Sequence, residues 1–172
     1  MPRTQAGAGA WPHALLAACG GFLAAVLWFD LMFDVQVRAH VPPAPLPEAT
    51  LASLAAYYAR VTREAAPMHL AVALVMAVAV LGSAWTTRDR RERALRWLAL
   101  AGAVLPIGLA AFRVLPNAAR LGERTGSAEA QSALARAIYH DHLLCLAAIA
   151  TFTALQVLLA ARAGSGHARV SR

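Results

Sequence analysis

The runs ALLAACGGFLAAVLWFDLMF, residues 14–33, and APMHLAVALVMAVAVLGSAW, residues 66–85, decide the fold of this chain. Each is apolar over a membrane-spanning length, and each gathers its charged or imidazole groups at one end. Two more runs of the same kind occupy residues 97–114 and 143–161. A hydrocarbon core about 30 Å thick needs roughly 20 helical residues, and only helices or closed barrels satisfy the backbone in lipid. The apolar residues do not alternate as barrel strands require. The expectation is an all-α integral membrane four-helix bundle, with two shorter amphipathic helices in the outer loops. The whole chain, residues 1–172, reads as one membrane domain.

Composition agrees. Hydrophobic residues make up 59% of the chain and charged ones 15%, well away from the balance of a soluble domain. The formal net charge of +7 comes entirely from arginine. These arginines lie in loops and at helix ends, without the basic stripe and interleaved aromatics of a nucleic-acid surface, so no nucleic-acid partner is expected. The lipid bilayer is the expected partner, and arginines at its surface suit anionic headgroups. A hydrophobic or aromatic small molecule is the other candidate partner. Nothing in the residues sets an oligomeric state.

Orientation follows from the link between the second and third runs, which carries Arg88, Arg90, Arg91, Arg93 and Arg96. So dense a cluster in a short loop predicts a cytoplasmic position. Arg3, Arg162, Arg169 and Arg172 place both termini on the same side, in a plasma or bacterial inner membrane. Trp85 and Trp97 fit an interfacial aromatic belt at that level. The first run is too long for a signal-peptide core and ends in Trp28-Phe29-Asp30 without a small-residue cleavage site. It reads as a retained span. Cys19 and Cys145 fall at different depths and are expected to stay unpaired.

Each half of the chain repeats one plan: a span, an outer loop, an amphipathic segment and a returning span. In the first half a proline-rich loop (Pro42, Pro43, Pro45, Pro47) precedes a segment with Leu51, Leu54, Tyr58 and Val61 on one face. In the second, Ser127 is the expected N-cap, and Leu134 and Ile138 form the stripe of a helix that runs into the fourth span. Small residues should mark the crossings: Ala17, Gly21 and Ala25 on span one, and Ala147, Ala150, Thr151 and Ala154 on span four. Pro106 should kink span three, with Gly102 and Gly108 beside it.

The functional expectation rests on a polar layer at the outer ends of the spans. Asp30 and Asp34, four residues apart, share one helix face. His69 belongs to span two, Arg113 and Asn117 to the end of span three, and His140, Asp141 and His142 to the start of span four. Charge at membrane depth is costly, so it faces the bundle interior, pairs, or lines a wet cavity. Asp30 and Arg113 are the deepest charges and the expected partners. Asp34, at the membrane edge, is expected to be solvated, and so are His13, His40 and His167. Three readings follow. The layer is a structural lock, an acid–base site with Arg113 as an anion holder, or a metal site built from Asp30, Asp34, His69 and a span-four histidine. The candidate catalytic residues are Asp30, Asp34, Arg113, Asn117 and His142; His69, Tyr139 and His140 are candidate ligand-binding residues. No cofactor is expected, and a metal ion ranks behind the other two readings. A small-solute or proton pathway would need polar residues across the midplane, where Thr151, Thr153 and Gln156 leave only a thin trail.

The second half also carries a resemblance. Phe112-Arg113-Val114-Leu115-Pro116-Asn117-Ala118-Ala119-Arg120-Leu121, followed by Ile138-Tyr139-His140-Asp141-His142-Leu143, resembles the anthrone oxygenase-like family of small four-span membrane proteins. The family pattern is Pro-x-Asn-x-x-Leu and aromatic-x-x-His; here Pro116 and Asn117 are adjacent, and Tyr139 stands where a tryptophan is expected. The resemblance implies a four-helix bundle and cofactor-independent oxygenation of an aromatic polyketide, with Asn117 and His142 as the matching residues.

Topology is directly testable in a background where Cys19 and Cys145 are changed to alanine. A single cysteine at Arg90 is expected to escape a membrane-impermeant thiol reagent in intact cells, while cysteines at Pro45 and Gly126 react. Labelling at position 90 and protection at 45 would invert the orientation.

Overall fold

A computed structural model describes residues 9–40, 44–90 and 92–170, with the side chains of 166–170 excepted. Arg3, residues 41–43, Arg91 and Arg172 lie outside the described residues, as do the side chains of His167 and Arg169. In chain order, α1 (Trp11–Asp34) ends in a 3₁₀ turn (Val35–Ala39) and is followed by α2 (Glu48–Glu64) and α3 (Ala66–Thr86). Then α4 (Arg93–Leu109) passes through a π turn (Ala110–Val114) into α5 (Leu115–Gly122), and α6 (Ala128–Val170) completes the fold. The described residues contain no strand. This is an all-α bundle, and four of its helical segments are long and apolar enough to cross a membrane: Trp11–Ala39, Ala66–Thr86, Arg93–Gly122 and Ala128–Ser165.

The four long helices form a ring in which α1 and α4 each pack against both α6 and α3. Thus α1 and α4 stand on one diagonal. The bundle interior is built from Leu16, Cys19, Ala79, Ala99, Ala103 and Phe152. The outer faces carry exposed apolar side chains such as Phe29, Leu70, Leu81 and Phe112, as a lipid-facing surface requires. Beyond one end of the ring lies a second core. Leu51, Leu54 and Tyr58 of α2 pack there with Ala118 and Leu121 of α5 and with Ala135 and Ile138 of α6. The expected face of the first amphipathic segment is therefore the buried one. The second amphipathic segment is continuous with span four in a helix of 43 residues, roughly 65 Å long at 1.5 Å per residue. Ser127 Oγ accepts the Ala130 N–H at 3.3 Å at its start.

This capped end is tied to the loop before α2. The Leu46 N–H donates to Ser132 Oγ at 2.8 Å, and Arg136 donates to the Ala44 carbonyl at 2.7 Å. Trp85 and Trp97 are exposed at the opposite, arginine-rich end, and both cysteines are buried and free.

Two prolines explain the widened turn in span three. Pro106 gives α4 no N–H for the Gly102 carbonyl, and Pro116 gives none for Phe112. Between them the Leu115 N–H reaches back five residues to the Ala110 carbonyl, a π turn. At Gly102, α4 comes so close to α6 that an added Cβ would meet the Ala148 carbonyl at 3.2 Å.

The expected crossing residues need correction. Gly21 has open space around it, and Ala25, Ala147, Ala150, Thr151 and Ala154 are exposed. Contact with α6 is made through Gly20, and α6 buries Ala148, Ile149 and Phe152. Alanine is the best helix former and is as welcome toward lipid as toward a neighbour, so its spacing did not mark the interface.

At Gly122 a Cβ would meet the Ala59 backbone nitrogen at 2.9 Å, whereas at Gly108 it would meet nothing within 4 Å. Gly122→Ala is therefore expected to lower the unfolding temperature in detergent, at a cost of about 1–3 kcal/mol for forced overpacking. Gly108→Ala should be neutral or stabilising. Equal behaviour of the two would contradict close docking of α2 on α5.

Candidate functional site

The last two turns of α1 bring Asp30 and Asp34 to the capped end on one face. Here α2 lies across them and presents two adjacent tyrosines. The Tyr58 hydroxyl donates to Asp34 Oδ1 at 2.5 Å, and the other oxygen of the same carboxylate accepts from His142 Nδ1 at 2.6 Å. Asp34 is 1% exposed, Tyr58 2% and His142 5%. One buried carboxylate thus joins α1, α2 and α6. Asp34 is not at a wet membrane edge as the sequence suggested, because α2 covers it. The Tyr57 hydroxyl donates to Asp30 Oδ1 at 2.5 Å, and its ring stacks on Phe33 with centroids 4.0 Å apart.

Burial, reinforced by the facing Asp34 carboxylate, pushes the Tyr58 phenol far above its ordinary range. Burial and the hydrogen bond to Asp30 raise Tyr57 in the same direction. Both phenols therefore remain protonated donors through neutral pH. With Nδ1 bonded to the Asp34 carboxylate, Nε2 is the ring nitrogen of His142 that this bond does not use.

The expected Asp30–Arg113 pair does not form. Arg113, in the π turn, donates through Nε to Asp141 Oδ2 at 2.9 Å. The ring order gives the reason: α1 and α4 are diagonal, so α6 offers the nearer carboxylate, and α2 supplies Asp30 with a phenol. Arg113 is 57% exposed while Asp141 is 2% exposed. Asn117 is half-buried on α5, and Tyr139 is half-buried with its ring 5.6 Å from that of exposed His140. His69 is exposed on α3. The structure therefore gathers Asp30, Asp34 and His142, pairs Arg113 with Asp141, the residue before His142, and leaves His69 and His140 at the surface. Among the described residues no three His, Cys, Asp or Glu side chains converge as metal ligands. Tyr57 is the residue that sequence reasoning missed, and Tyr58 enters that reasoning only as an apolar contact. The available signal was the tyrosine pair itself, since a phenol on a buried helix face requires an acceptor.

A second polar cluster lies at the arginine-rich end. His13, expected to be solvated, is 2% exposed. Arg96 Nη1 donates to His13 Nε2 at 3.1 Å and to the Thr86 carbonyl at 3.2 Å. A guanidinium can only donate, so Nε2 accepts and Nδ1 carries the proton that reaches Gln156 Oε1 at 2.7 Å. Gln156 Nε2 in turn donates to Ser83 Oγ at 3.3 Å. Gln156 thus belongs to a closed network at this end. No family model, curated protein or solved structure matches the chain.

The pairing pattern is open to double-mutant cycles. Arg113→Gln and Asp141→Asn are expected to show non-additive losses of thermal stability in detergent, whereas Arg113→Gln and Asp30→Asn should be additive. Tyr58→Phe leaves one Asp34 oxygen without its donor and is expected to cost about 1–3 kcal/mol. Coupling between Asp30 and Arg113 would overturn the assignment.

Proposed function

We propose that this multi-pass membrane protein is a small acid–base enzyme of the oxygenase-like kind, acting on a hydrophobic aromatic molecule dissolved in the bilayer. The observation that carries this reading is the buried Asp34 carboxylate holding His142 by Nδ1 while Tyr58 occupies its other oxygen. A carboxylate that fixes the tautomer and orientation of an imidazole leaves Nε2 as a general base, the same division of labour as in a catalytic triad. His142 takes a proton from an activated aromatic C–H or O–H group, and Asp34 stabilises the imidazolium that results. In this reading the exposed Arg113 guanidinium, tethered by Asp141, holds an anionic substrate or a developing oxyanion. The resemblance to the anthrone oxygenase-like family supports the substrate class and adds Asn117 as a polar contact. In this reading the reaction uses no cofactor.

A second reading is favoured by the completeness of the same bonds. With both Asp34 oxygens satisfied and the group shut from solvent, the layer has the form of a lock that fixes α1, α2 and α6 in register. A proton or solute pathway has less support, since the buried interior between the polar layers is led by apolar Leu23, Ile149 and Phe152.

His142→Asn separates the two leading readings, because the asparagine amide can keep the hydrogen bond to Asp34 but has no basic nitrogen. The variant is expected to insert and melt like the parent and to fail to complement a deletion strain. Full complementation would leave the lock reading in place and remove the enzymatic one. Elemental analysis of the purified chain is the accompanying measurement: one equivalent of iron or zinc, lost in the variant, would put the metal reading first.

A further inference from the structure

At the arginine-rich end, the start of α1, the end of α3 and the start of α4 border an open cavity of about 310 Å³. Gly9, Pro12 and His13 form one wall, and Trp85, Arg88 and Arg96 form the other. The Arg96 side chain is only 10% exposed. His13 Nε2, the Thr86 carbonyl and the Asp89 carboxylate hold its guanidinium in place, so its orientation is set before any ligand arrives. Asp89 also lines the cavity, but its side chain is 55% exposed. Among the described lining residues, two guanidiniums face one carboxylate.

Two further features favour an anion. The first turn of α1 contains no acidic residue, and its N-cap, Ala10, makes no side-chain capping bond. Pro12 has no N–H, so in this first turn it is the Trp11 and His13 N–H groups that have no acceptor within their helix and carry the positive end of its dipole. The depth is also that of lipid headgroups. Trp85 is 68% exposed, and the Arg88 guanidinium lies over its ring at 4.2 Å, the arrangement of an amphipathic anchor at a membrane interface. Basic pockets between spanning helices at this level suit anionic headgroups.

We propose that this cavity is a binding site for a phosphate group, supplied by the headgroup of an anionic membrane lipid, with Arg96 and Arg88 as its ligating side chains. Arg96 is the preset donor, and Arg88 closes over the phosphate from Trp85. The acyl chains then run down the apolar outer faces of α1 and α3.

The test is thermal unfolding of the full chain in a mild uncharged detergent, titrated separately with phosphatidylglycerol, phosphatidylcholine and inorganic phosphate. Phosphatidylglycerol is expected to raise the unfolding temperature saturably, as a ligand that binds only the folded state must, with phosphatidylcholine and phosphate having little effect. Arg88→Gln, read against its own lipid-free unfolding temperature, should weaken the apparent affinity about tenfold, the worth of one charge-assisted contact. Arg90→Gln, in the same link but outside the cavity, should leave the affinity unchanged. Equal weakening by the two variants would reduce the effect to general surface charge and overturn the site. Stabilisation by inorganic phosphate equal to that by phosphatidylglycerol would overturn the lipid source, and no stabilisation by either would overturn the proposal.

Discussion

The Asp34 carboxylate governs the arrangement of everything at the capped end. A carboxylate at 1% exposure beside an apolar span is tolerable only if donors reach it, because an unpaired buried charge is strongly destabilising. The donors come from two different helices, Tyr58 of α2 and His142 of α6. To deliver them, α2 must lie flat across the bundle instead of standing free in solvent. Its apolar face then builds the second core with α5 and the first turns of α6. The satisfied carboxylate and the covered apolar face share one helix, since Tyr58 belongs both to the hydrogen bonds and to the second core.

Much of this was legible in the residues, and the boundary of legibility has a physical cause. Hydropathy and length reveal how far along a helix axis each residue lies. They located the four long apolar helices and the amphipathic α2. They say nothing about rotation around the axis when lipid-facing and interior-facing positions are both apolar. Hence Asp30 and Arg113 were matched by depth although the helices carrying them are diagonal. The small-residue stripe of span one was likewise set on Gly21, one position away from Gly20. His13 was read as solvated because it adjoins a polar terminus, yet Gln156 and Arg96 draw it inward. Each miss is an error of azimuth or of long-range partner, and neither quantity is encoded in local spacing.

The two polar networks differ in kind. At the capped end the acceptors are carboxylates, and the donors are phenols, an imidazole and a guanidinium. At the arginine-rich end the polarity runs one way, from Arg96 through His13 and Gln156 to Ser83. That directionality fixes a tautomer without a nearby carboxylate on the ring. An orienting carboxylate is found on His142 alone of these two histidines, and this contrast focuses the chemical reading on the capped end.

The spacing of the two networks along α1 has a consequence for the membrane itself. His13 and Asp34 are 21 positions apart, roughly 32 Å along a helix, close to the average hydrocarbon thickness of about 30 Å. An isolated helix accommodates hydrophobic mismatch by tilting. Here α1 is cross-linked to its neighbours near both faces, so it cannot tilt alone. In a thinner or thicker bilayer the whole bundle must incline, or the lipid must deform around it. The two hydrogen-bonded layers thus tie the spacing of the polar ends of α1 to about one hydrocarbon thickness.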